Sequence, residues 1–176
     1  MKKIVVFLIP ILLLANSLDK KIVELESKIY PKIIFLDYKI EKKLVDNEVL
    51  IHIIYDTKYH KTIAEFFKDI LDNKIIYNKK FNVKLVSYQE SLKEVPTAYI
   101  VVLKKDNVEN IEPKFRKNGR LIFSFKDDNI KYSLVSLFFG AKVLPIVNLK
   151  LLKEYGIELK PIIFKVAEIY NENDKL

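Results

Sequence analysis

The sequence predicts an α/β fold: a single domain in which a mixed five- or six-stranded sheet carries helices on both faces. Three observations lead there. Short continuous runs rich in β-branched residues recur along the chain, as buried strands do. Stretches with apolar residues every three or four positions lie among them, as helices do. Proline, glycine and asparagine punctuate the two kinds of segment, and 176 residues suit one core better than two.

The first seventeen residues read differently from the rest. Met1-Lys2-Lys3 precedes an apolar run from Ile4 to Ala15, and Ala15 and Ser17 are small residues placed for a cut after Ser17. A basic start, a short apolar stretch and a small-residue cut form an export signal, so residues 18–170 are expected to work as a soluble domain in the periplasm. A membrane-spanning anchor needs about 20 apolar residues, and this run is shorter and holds Pro10. A lipid anchor needs a cysteine at the cut, and the chain has none.

The elements then follow in order. Ile22, Leu25, Ile29, Ile33 and Leu36 share a helical face that Pro31 either kinks or divides in two. Residues 37–47 are mostly charged and are expected at the surface. Val49–Tyr55 reads as a central strand. Lys58–Asn73 reads as a helix, with Ile63, Phe66, Phe67, Ile70 and Leu71 as its stripe. Phe81–Tyr88 alternates as a strand nearer an edge, and Thr97–Leu103 is again a buried strand. Pro113 interrupts weak periodicity in Val108–Lys117, which predicts a short irregular helix or loop. Arg120–Phe125 is a strand, and Ser133–Phe139 with Lys142–Val147 forms a hairpin about Gly140. Asn148 caps a short helix that Gly156 ends, and Pro161 opens a last helix carrying Ile162, Ile163, Val166 and Tyr170. Asn171–Leu176 is expected as a frayed tail.

Composition excludes several kinds of function. The formal charge of +8 falls to +6 once Lys2 and Lys3 leave, and the lysines are dispersed, with arginine only at Arg116 and Arg120. No nucleic-acid partner is expected from that pattern. With two histidines, His52 and His60, and no cysteine, neither a metal site, a cofactor nor a disulfide is expected. His52 lies in the Val49–Tyr55 strand and is expected as a core residue with a hydrogen-bonded ring. No Gly-x-Ser-x-Gly elbow or ordered Ser, His and Asp set appears, and Asp127-Asp128 reads as a turn, so no catalytic residues and no enzyme are expected.

The segment Lys142–Ala167 carries a resemblance. A strand leads into Val147-Asn148, then a short helix, Gly156-Ile157 and a Pro161 segment, and this resembles the end of the YfiR-like family of periplasmic proteins. Upstream, the export signal, the aromatic helix around Tyr30 to Tyr38 and the Val49–Tyr55 strand come in the family's order. The chain departs from the family in lacking cysteine and tryptophan, which removes redox control by disulfides. The resemblance implies a non-enzymatic regulator that binds the outer domain of an inner-membrane signalling protein, a diguanylate cyclase being the specific expectation. The apolar residues Ile33, Phe35, Leu36 and Tyr38, continuing past Pro31 into a charged stretch, are the candidate partner contacts, with packing onto the sheet as their alternative role. A homodimer stays open. The alternative is a one-lobe solute-binding protein related to ABC-importer receptors, whose C-terminal ends are similar in pattern.

Overall fold

The computed structural model describes the backbone of residues 8–90 and 94–171, and the side chains within them except those of 8–16, 127 and 128. In chain order the elements are α1 Leu8–Ile34, β1 Val49–Tyr55, α2 Lys58–Leu71, β2 Ile75–Ile76, β3 Lys79–Ser87, β4 Ala98–Val102, α3 Lys105–Arg116, β5 Leu121–Ser124, β6 Val135–Phe139, β7 Val143–Val147, α4 Leu149–Glu154 and β8 Glu168–Ile169. Short 3-10 helices occupy Ile40–Lys43, Asp127–Tyr132 and Pro161–Lys165.

One mixed sheet of eight strands, in the order β2-β3-β1-β4-β5-β6-β7-β8, forms the centre. Strands β3, β1, β4, β5 and β6 run parallel, β7 returns antiparallel to β6, and β2 caps the far edge antiparallel to β3. The expected five or six strands are thus corrected to eight. The two additional strands, β2 and β8, are two residues long, too short to leave a periodic signature. The Pro161 segment is likewise corrected from a helix to a 3-10 turn followed by β8, which pairs with β7 through Ile146 and Glu168.

Register assigns the layers. Ile100 pairs with Phe123 and Tyr99 with Ile122, so consecutive residues face opposite sides. On one side Tyr30 of α1 stacks on Phe123 at 4.5 Å, and α2 lies against α1. On the other Phe115 of α3 meets Tyr99 at 4.2 Å, and Tyr155, just beyond α4, donates its hydroxyl to Glu112 of α3 at 2.9 Å. The central strands are covered on both faces, which is why Ile51, Ile53, Ile54, Ile100 and Val101 are buried at 1% exposure or less.

Helix α1 buries Ile22, Val23, Tyr30, Ile33 and Ile34 together with Glu26 and Ser27. Pro31 does not divide it, since the helix runs on past the proline to Ile34. Of the expected export signal, residues 1–7 lie outside the described residues, and Leu8 onward belongs to α1. Residues 172–176 of the expected tail also lie outside them. Among the described residues no helix is long and apolar enough to cross a membrane.

Residues 37–47 do not lie wholly at the surface. Asp37 and Lys43 are buried and paired at 2.5 Å, and Asp37 also accepts the Lys39 amide. The irregular segment before Gly119 is a regular helix, α3, with Pro113 inside it.

Candidate functional site

The chain leaves β1 toward β3 on one side and reaches β4 on the other, so the crossovers reverse between β1 and β4. In a parallel sheet this reversal opens a crevice at the carboxyl ends of the two strands, because the helices that follow them lie on opposite faces. Here those helices are α2 and α3, and both direct their N-termini at the crevice.

Asp56, the residue after β1, holds the crevice together. Its side chain is 4% exposed; one oxygen lies 2.5 Å from His60 Nδ1, and the other accepts the Lys104 amide at 2.9 Å and Asn107 Nδ2 at 2.6 Å. Burial pushes the carboxyl up, but the hydrogen bonds from Lys104, His60 and Asn107 outweigh it and hold Asp56 below the usual carboxylate value. One side chain thereby ties β1, the first turn of α2 and the start of α3. Thr57 caps α2 by accepting the His60 amide at 3.1 Å.

Beside this group α1 reaches the same edge through Asp19. Tyr59 donates its hydroxyl to Asp19, which also pairs with Lys126 Nζ at 2.9 Å. Burial, then the Asp19 carboxylate, pushes the Tyr59 phenol up to about 12. Lys126 follows β5 with φ 61°, a left-handed value that costs a residue with a side chain about 1 kcal/mol or more. The bend is held at both ends of the residue. Its amide donates to Glu26 at 3.0 Å, and its carbonyl accepts the hydroxyls of Ser124 at 2.9 Å and Ser136 at 2.6 Å.

The opposite end of the sheet carries the residues singled out in the sequence. Ile33 is in the core at 2% exposure, and Phe35 and Leu36 are half-buried against it. Tyr38 alone of the four is exposed, at 58%. It lines an apolar groove of about 390 Å³ with Leu149, Leu152, Ile157, Leu159 and Phe164. The chain is pinned there by pairing of Asp37 with Leu159 and by the Tyr38 amide donating to the Glu158 carbonyl at 3.1 Å.

His52 is buried as expected, but its ring is not hydrogen-bonded among the described residues, and Glu94 stands 3.8 Å from Nε2. Burial holds its imidazole below the ordinary value. No group of three or more metal-ligating side chains occurs among the described residues. Sequence reasoning missed Asp56, Thr57 and His60. Their signal was present: Asp-Thr directly after a buried strand, with histidine four residues beyond the aspartate on the same helical face.

No family model matches the chain, and no curated protein matches it. Among solved structures it is similar to a crystal structure from Streptococcus pneumonia described as the ABC domain in complex with L-Trp. The TM-score is 0.53 at 14% identity, over 78% of this chain and 62% of that one. At that identity the likeness shows a shared fold, and the chain spans about three fifths of that structure's length.

Proposed function

We propose that the protein is a non-catalytic binding protein, built like one lobe of a solute receptor, that takes a small carboxylate-bearing solute at the carboxyl ends of β1 and β4. The observation that carries this reading is the convergence of two helix N-termini on the crossover reversal. Thr57 takes the His60 amide and the Lys104 carbonyl takes that of Asn107, so the amides at the crevice for a ligand are those of Lys58, Tyr59, Lys105 and Asp106, where the helix dipoles favour an anion. Lys58, Lys104 and Lys105 stand exposed at the same two helix starts, against Asp106 and the buried Asp56, and leave a positive balance. The similar domain is described in complex with L-Trp, a solute with a carboxylate.

Export fits this placement. A cut after Ser17 would start α1 at Leu18 and put Asp19 in its first turn, where its charge suits the helix dipole. A periplasmic location with that cut is part of the proposal, and N-terminal sequencing of the protein from a periplasmic fraction tests it.

The binding reading is tested by thermal unfolding against a panel of amino acids and small carboxylates. A solute at a hundredfold excess over its Kd adds about 2.7 kcal/mol, which for a domain of this size raises Tm by roughly 5–10 °C. No shift with any member of the panel would remove the reading.

A second reading is favoured by the position of Tyr38 on an exposed apolar groove. There the protein acts as a YfiR-like regulator of an inner-membrane signalling protein, a diguanylate cyclase in the specific form, by binding one conformation of its partner more tightly than another. The two readings are compatible in one molecule, since a single lobe supplies only one wall for a solute. A pull-down from inner membranes that recovers no membrane protein would remove this second reading.

A further inference from the structure

We propose that the groove at the amino end of the sheet docks an acidic amphipathic helix of a partner protein. This rests on the partner-binding reading above and adds the chemistry of the partner. Tyr38 and Phe164 line the groove at 58% and 40% exposure, and Ile162 and Val166, two residues to either side of Phe164 in the chain, are exposed at 53% and 52%. Two large aromatic side chains left in water on one apolar concavity mark an interaction surface, since a single exposed one would be ordinary.

The surrounding charge selects the occupant. Lys153 lines the groove, and Lys39, Lys160 and Lys165 are exposed next to Tyr38, Leu159 and Phe164 in the chain, against Glu158 as the one acidic lining residue. Arg116 holds Glu154 at 3.2 Å, and Lys43 holds Asp37, so neither of these carboxylates offsets the lysines of the rim. A second copy of this chain docking by the same face would set lysines against lysines. A lipid bilayer would leave the concavity unfilled. A helix with apolar anchors at i, i+3 and i+4 fills a groove bounded by α4 on one side and Tyr38 and Phe164 on the other, and acidic residues flanking the anchors meet the lysines.

The chain has no tryptophan, so the full-length protein carrying Phe164→Trp has a single reporter in the groove. It is titrated with a synthetic peptide that has leucine at i, i+3, i+4 and i+7 and glutamate on the flanking positions. The expected result is a saturable blue shift of the tryptophan emission. A further Lys153→Glu substitution weakens it about three- to tenfold, and salt weakens it as well. A peptide with lysine in place of glutamate binds the Phe164→Trp protein more weakly than the acidic one and regains affinity for the Lys153→Glu variant. No saturable change up to about 1 mM peptide, or equal binding of the acidic and basic peptides, overturns the assignment. So does a blue shift given by phosphatidylglycerol vesicles and not by peptide, or a concentration-dependent dimer that buries the reporter. If an inner-membrane partner is recovered while the acidic peptide fails, the partner reading stands and this groove is not its acidic-helix site.

Discussion

Asp56→Asn is the most informative single substitution, because it keeps the size of the clamp between β1, α2 and α3, removes its charge and turns one accepting oxygen into a donating amide. Three hydrogen bonds converge on the carboxylate, from His60 at 2.5 Å, Asn107 at 2.6 Å and the Lys104 amide at 2.9 Å. A bond to a charged group is worth about 1.5–3 kcal/mol and a neutral one about 0.5–1.5 kcal/mol. With the Asn oxygen turned to Lys104 and Asn107, those two bonds become neutral at a cost of about 1 kcal/mol or less each, and the bond accepted from His60 is lost, for about 2–3 kcal/mol in all. Urea unfolding with linear extrapolation resolves that difference.

The pH dependence adds a second readout. Asp56 has a folded pKa below its ordinary value. Its charge therefore stabilises fully above the unfolded value of about 3.9, and that contribution is lost as pH falls through the lower folded value. The parent and variant curves should stand about 2–3 kcal/mol apart near pH 7 and draw closer as pH falls through the lowered Asp56 value. A gap under about 0.5 kcal/mol at neutral pH, or one that persists unchanged into acid, would refute the clamp.

Three further outcomes are expected. Because burial lowers the His52 pKa, the unfolded chain takes up its proton first, so His52 removes stability as pH drops from about 7 to 5; His52→Leu flattens that part of a urea-midpoint profile, and an unchanged slope counts against the assignment. Tyr30→Phe removes the hydroxyl donated to the Ser124 carbonyl at 2.7 Å and keeps the stack on Phe123, lowering stability by about 1 kcal/mol or more in the same assay. Asn148→Ala loses the cap on the Leu151 amide at 3.1 Å and the bond to the Ile130 carbonyl at 3.1 Å, costing about 1–2 kcal/mol, while Asn148→Asp keeps the cap but sets a buried carboxylate oxygen against the Ile130 and Lys131 carbonyls and recovers none of the loss in the same assay.

Legibility in the sequence followed the range of the interactions. Val49–Tyr55, the α2 stripe, the hairpin about Gly140, the Asn148 cap and the positive φ of Gly156 were readable because each depends on neighbours a few residues away. The last helix was misread because Pro161-Ile162-Ile163 is locally helical in pattern, whereas the pairing of Glu168 and Ile169 with β7 draws the chain into a strand. The buried Asp37 and Lys43 were invisible for a related reason: a charge enters the interior only where folding supplies its partner.

By itself the sequence determined the α/β class, the positions of the six longer strands and the absence of any thiol chemistry, since periodicity and composition are local properties of the chain. Tertiary structure alone decided the strand order, and with it the crevice where Asp56, just after β1, meets Lys104 and Asn107, about fifty residues away. It also sorted Ile33, Phe35, Leu36 and Tyr38, four similar residues in one run, into a core side chain, two half-buried ones and an exposed tyrosine on a groove. The physical reason is common to both cases. Which side chains face water, and which polar groups meet, depends on how distant segments pack, and the hydrophobic effect that drives the packing is non-directional.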